Sequence, residues 1–248
     1  MSFNFKGLWT VAAFSARKLL MNRRWMLVLL LGVLVASVMG YAATEDGADM
    51  DFASDLMAML LLAFLLPVLS LIYGASMIRN EMDDRSIVQV ITAPLDRRIS
   101  YLGYYIGLVM VLCLLITAVT AVGGLAFLMF SPERDGGVQL VLTFIVLQYL
   151  GVMIYSALFL LLGAMLRQPI YLGLFYIFIW EGFVASLPGS IGDLTIRHQL
   201  QSVASELTEL GYFTSSSGDG AVAALVLIAL TVVLVLAGAF LFREKEIA

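Results

Sequence analysis

Eight charged side chains fall within residues 78–107: Arg79, Glu81, Asp83, Asp84, Arg85, Asp96, Arg97 and Arg98. Neither the lone His198 nor the lone Cys113 of the chain lies among them. The chemistry this group suits is ion pairing and hydrogen bonding. Spacing gives it a shape. Glu81 stands four residues before Arg85, the favoured order for a pair on a helix surface. Ile87, Val90 and Ile91 recur at i, i+3 and i+4, one apolar helical face. Pro94 stops this arm, because it offers no N–H and disfavours helix at Ala93. Asp96 then caps a second arm whose first turn holds Arg97 and Arg98. A short apolar ridge framed by charges is suited to fill a partner's groove while the charges set register. A hairpin resting on lipid, with Arg97 and Arg98 at the phosphates, is the alternative.

The elements on either side place this loop at a membrane. The chain has 248 residues, 62% hydrophobic and 13% charged, with a mean hydropathy of +1.00. A soluble domain carries roughly 25% charged residues, and here the apolar excess falls in long runs. Six of them can cross about 30 Å of hydrocarbon as helix: residues 25–43, 56–77, 104–130, 138–166, 170–187 and 221–242. The expected fold is an all-α membrane protein, a single membrane domain over residues 1–248. Of the fourteen Lys and Arg, twelve fall on the side of the 78–103 loop. Only Arg134 and Arg197 fall on the other, where the first connection carries Glu45, Asp46, Asp49, Asp51 and Asp55. This split puts both termini in the cytoplasm. Residues 1–24 place Phe5, Leu8, Trp9, Ala12, Ala16, Leu19 and Leu20 at helical spacing, the pattern of an amphipathic helix lying along the interface.

Two features inside the spans stand out. Glu181, near the outer end of the fifth, is the one acid within or at the edge of an apolar run. An intramembrane carboxylate is costly and points to gating or substrate passage, unless it only reaches the interface. Pro67 should kink the second span. Outside the spans, residues 188–220 carry a partial helical face through Leu194, Leu200, Val203, Leu207 and Leu210. They form either a re-entrant segment or an extracellular helix with a linker.

The runs Arg79-Asn80-Glu81, Asp84-Arg85-Ser86-Ile87, Thr92-Ala93-Pro94-Leu95, Arg97-Arg98 and Tyr101-Leu102-Gly103 resemble the ABC type-2 exporter permeases. So do Trp180-Glu181-Gly182 at the close of the fifth span, Leu187-Pro188 and Leu194-Thr195, the N-terminal helix and the six-span plan. Arg85 stands where that family usually has a glycine, and Tyr104 where a lysine follows Gly103. The resemblance implies a prokaryotic plasma (inner) membrane protein, multi-pass, working as two permease copies, by default a homodimer, with two nucleotide-binding ATPase subunits. It places the 78–103 loop at the ATPase interface, with Glu81, Asp84, Arg85, Ile87, Pro94, Arg97 and Arg98 as contacts. It also implies that residues 188–220 dip back to cap the pathway.

The chain contains no G-x-x-x-x-G-K-[ST] loop to cradle phosphates. ATP and magnesium are accordingly expected on the partner subunit, and no cofactor on this chain. The expected partners are that ATPase, the second permease copy and membrane lipid. A net charge of −4 gives no nucleic-acid signal. A stand-alone secondary transporter or channel, the alternative, would call for several intramembrane charges or inverted repeats. A membrane enzyme would need a catalytic set that one His and one Cys do not supply. No polar row marks a route through the spans, which suits an amphipathic or lipid-like substrate better than an ion.

Overall fold

The computed structural model describes residues 5–21, 23–45, 49–83, 97–131, 136–186, 192–207 and 219–244, without the side chains of 79–83, 186, 193, 243 and 244. Every regular element among them is helical. In chain order, α1 is Phe5–Met21 and α2 is Trp25–Ala42. α3 runs as α-helix over Met50–Met57, as π-helix over Ala58–Leu65 and again as α-helix over Leu66–Asp83. α4 is Arg97–Phe130 and α5 is Gly137–Met165. α6 begins at Pro169–Phe175 and continues as π-helix through Tyr176–Phe183. Single 3-10 turns at Val184–Ser186 and Gly192–Leu194 precede α7, Ile196–Leu207, and α8 is Gly220–Glu244.

Five of these helices are long and apolar enough to cross a membrane: α2, α3, α4, α5 and α8. The fifth expected span is shorter. Its apolar helix, Pro169–Phe183, has 15 residues, about 22 Å at 1.5 Å per residue against roughly 30 Å of hydrocarbon. Helix starts also shift where local chemistry extends the apolar run. α3 begins at Met50 rather than at 56, because the Asp49 carboxylate accepts from the Phe52 amide at 2.8 Å, an N-cap bond. Pro67 follows the π stretch of α3, and just before it the Leu66 amide reaches back five residues to the Leu61 carbonyl. The proline itself supplies no N–H to this turn.

α5 is the axis of the bundle. Phe144, Leu147, Val152, Ile154, Ala157, Phe159 and Leu160 on it are fully buried, against α3 and α6 on one side and α4, α7 and α8 on the other. α4 carries α1 and α2 on its outer flank. The seam between α1 and α4 is set by glycine. A Cβ at Gly103 would lie 2.8 Å from Val11, and one at Gly107 would lie 2.6 Å from the Ala12 carbonyl and collide with Ser15 Oγ. Gly103 and Gly107 form a small-xxx-small pair, which lets helix backbones approach closely. α1 buries Leu8, Val11, Ala12, Ser15 and Leu19 in this seam, while Lys6, Arg17 and Lys18 are exposed.

A second tie joins the turn after α1 to α3. Arg24 Nη1 donates to the Ile72 carbonyl at 3.4 Å and to Ser76 Oγ, whose hydroxyl donates back to the same carbonyl. The N-terminal segment therefore holds both α3, just before the 78–96 stretch, and α4, just after it.

Two substitutions test these ties. Gly107→Val forces α1 off α4 and is expected to lower stability by about 1–3 kcal/mol, the range for overpacking a tight contact, read by thermal unfolding in detergent. Its amide exchange should rise first in residues 11–15. Arg24→Met removes a charged donor from two acceptors and should cost about 1.5–3 kcal/mol, with Arg24→Lys recovering part of it.

Candidate functional site

The residues picked out from sequence fall into two places. At the end of the bundle beside the 78–103 loop, α3 carries the backbone of Glu81 in its last turn. Asp84, Arg85, Ile87 and Pro94 lie outside the described residues. Arg97 and Arg98 occupy the first turn of α4, Arg97 half-buried and Arg98 exposed. That turn contains no acid. Cations at a helix N-terminus oppose the macrodipole, so helix stability does not explain why these two stand here.

The second place is a buried polar centre built around Glu181. The side chain is 3% exposed, although α6 leaves Tyr171, Phe175, Phe178 and Phe183 on the outside. Its two carboxylate oxygens divide their work. Oε1 accepts from the Tyr176 hydroxyl at 2.8 Å and from the Ile196 amide at 3.1 Å; Oε2 accepts from the Arg197 amide at 3.0 Å. Fully buried Tyr155 of α5 faces the same carboxylate. Its ring stacks on Phe159 at 6.0 Å between centroids, and Phe159 meets Tyr176 edge-on at 6.2 Å.

Helical register makes this contact possible. In an α-helix, residues five apart point about 140° away from one another. Tyr176 and Glu181 are five apart and lie in a π-helical stretch, whose i→i+5 register stacks them. The phenol then lies beneath the carboxylate, inside the protein. Neither side chain could reach the other on a straight α-helix.

The amides that Glu181 accepts open α7. The first turn of any helix leaves N–H groups without a partner in the helix itself. Here each one is met. Ile196 and Arg197 donate to Glu181 and the His198 amide donates to Thr195 Oγ1 at 3.3 Å, after which the Gln199 amide begins the helix's own ladder on the Thr195 carbonyl at 3.3 Å. Charge helps as well, since a carboxylate at a helix N-terminus is favoured by the dipole.

α7 lies deep. Its Leu200 is fully buried, with Cδ1 3.1 Å from the position of a Cβ at Gly151, a site that Leu66 of α3 approaches to 2.9 Å. Gly151 is the midpoint of α5, fourteen residues from Gly137 (151 − 137) and fourteen from Met165 (165 − 151), or about 21 Å from either end. A second polar contact, Thr120 Oγ1 to Gln148 Oε1 at 2.6 Å, ties α4 to α5 nearby. Among the described residues no group of three or more His, Cys, Asp or Glu is placed to hold a metal ion.

The structure thus brings Glu181 together with Tyr176, Tyr155 and Thr195, which sequence reasoning did not single out. The Leu194-Thr195 pair was visible, and a threonine before a helix is a recognisable cap. The tyrosines gave no signal, because their partnership depends on a π register that periodicity does not reveal. Glu181 bonds within α6 and to the start of α7, whereas Arg97 and Arg98 stand in the first turn of α4.

The sequence profile of the ABC-2 family transporter proteins matches residues 9–247. No curated protein matches the sequence. The profile match runs through α1, every long apolar helix and the buried centre at Glu181, and the chain belongs to the ABC-2 transporter family, as a multi-pass membrane permease.

Proposed function

We propose that this chain is the membrane-spanning subunit of an ATP-driven exporter, forming the substrate pathway and receiving its energy through the 78–103 loop. Permeases of the ABC-2 family generally work with an ATPase subunit. The observation that carries the reading here is the pair Arg97 and Arg98 in the first turn of α4. Two adjacent cations at this helix start stand against the helix dipole, and they suit an acidic or polar surface on a partner. The missing phosphate loop assigns ATP and magnesium to that partner, and this chain hydrolyses nothing by itself.

In this reading α6 is the sixth crossing, completed by the turns that lead into α7, and α7 is re-entrant rather than extracellular. α1 lies along the cytoplasmic interface with Lys6, Arg17 and Lys18 toward water and phosphates. The twelve-to-two division of Lys and Arg puts both termini in the cytoplasm of a prokaryotic plasma membrane. The exposed apolar faces of α2 and α6, including Leu29, Leu30, Val33, Phe175 and Phe178, meet lipid and the second permease copy.

Co-expression with an ATPase subunit, followed by co-purification and ATPase assays in nanodiscs, tests the assignment. Glu81→Lys and Arg97→Glu should each weaken ATPase association roughly tenfold or more, as loss of a charged hot spot does, and leave membrane insertion unchanged. Wild-type association and coupling in both variants would sink the reading.

A further inference from the structure

α7 has 12 residues and is held in two different ways. Leu200, Val203 and Ala204 are buried against α5 and α8. Between helices in a bilayer such contacts bring little driving force, because lipid tails are as apolar as Leu. The polar anchor is a different matter. Amides at membrane depth must find acceptors inside the protein, and two of those opening α7 find Glu181 alone.

That anchor is borne on a helix with much of its surface exposed. α6 packs on α3 and α5 along one side only, with large apolar side chains exposed along the rest of its length. Its Tyr176–Phe183 turn is π-helical, and a return to α register would swing Tyr176 and Glu181 apart. A motion of α6 therefore carries the acceptor away from α7.

We propose that Glu181 is the latch of a movable plug. With both carboxylate oxygens on the Ile196 and Arg197 amides, α7 is seated at the midpoint of α5. When α6 draws the carboxylate away, α7 withdraws from Gly151 toward water and vacates the space that Leu200 and Ala204 fill between α5 and α8. Glu181 acts on α7 as a positioning residue and touches no substrate. This requires only the membrane placement of the chain, so its failure would leave the exporter assignment standing.

Cysteine accessibility tests it on the full chain in nanodiscs, with Cys113→Ser removing the native thiol. Ala204→Cys reports on α7 and Ala157→Cys, in the fully buried face of α5, reports on the bundle. Glu181→Gln keeps the size of the side chain but leaves one acceptor oxygen for two amides. Labelling of the α7 cysteine by a membrane-impermeant maleimide is expected to accelerate at least about tenfold, as local opening predicts, while the α5 cysteine stays unreactive. Unchanged labelling of α7, or equal acceleration at both positions, would overturn the proposal. Should Glu181→Gln fail to fold, Glu181→Asp, which keeps the charge but shortens the reach of the carboxylate to both amides, is read by the same two rates. It should accelerate the α7 probe selectively, and the same two adverse results overturn the proposal.

Discussion

Backbone amides that enter a membrane must bring their acceptors with them. A spanning helix meets this demand by its own i→i+4 bonds, but a helix that begins inside the bilayer exposes its first turn to a medium with no water to bond. α7 packs beside the middle of α5, and the residues around its first turn are arranged to meet that demand. Glu181 answers two amides, the Thr195 hydroxyl answers the next, and Tyr176 and Tyr155 surround the carboxylate that would otherwise stand uncompensated. The apolar packing at Gly151 then has a helix to receive.

The half that flanks the 78–96 stretch follows a different rule, that of close approach. Gly103 and Gly107 bring α1 against the backbone of α4, and Arg24 crosses from the α1–α2 elbow to the end of α3. The N-terminal segment is thereby tied to both flanks of the charged 78–96 stretch. A push on either flank reaches α2 through the same twenty or so residues. No such mechanical tie is evident in hydropathy, which treats the leader as an appendage.

Much of this was legible in the sequence. Long apolar runs anticipated the order of the long helices, five of which are long enough to span against the six expected, and helical spacing anticipated a helix at α1, where Leu8, Ala12 and Leu19 are buried but Phe5, Trp9 and Leu20 of the same expected face are exposed. Asp49 extended α3 beyond its hydropathic start, and a capping aspartate is at least a recognisable sign. Glu181 was conspicuous by its charge alone. What it bonds was not legible, because two tyrosines on different helices and two amides fifteen and sixteen residues downstream have no common period. The depth of α7 was hidden for the same reason: Leu200 looks like any leucine of an amphipathic helix until Gly151 is seen to leave room for it.

The π-helical turn of α6 also bears on how relatives should be aligned. A turn that closes in five residues where four would serve holds, in effect, one additional residue. A relative whose sixth helix is α-helical throughout would be one position shorter between the counterparts of Tyr176 and Val184. An ungapped alignment through that stretch would then set Glu181 opposite a lipid-facing side chain, and the carboxylate would pass for a variable surface residue. A single-residue gap restores the buried acid to its equivalent.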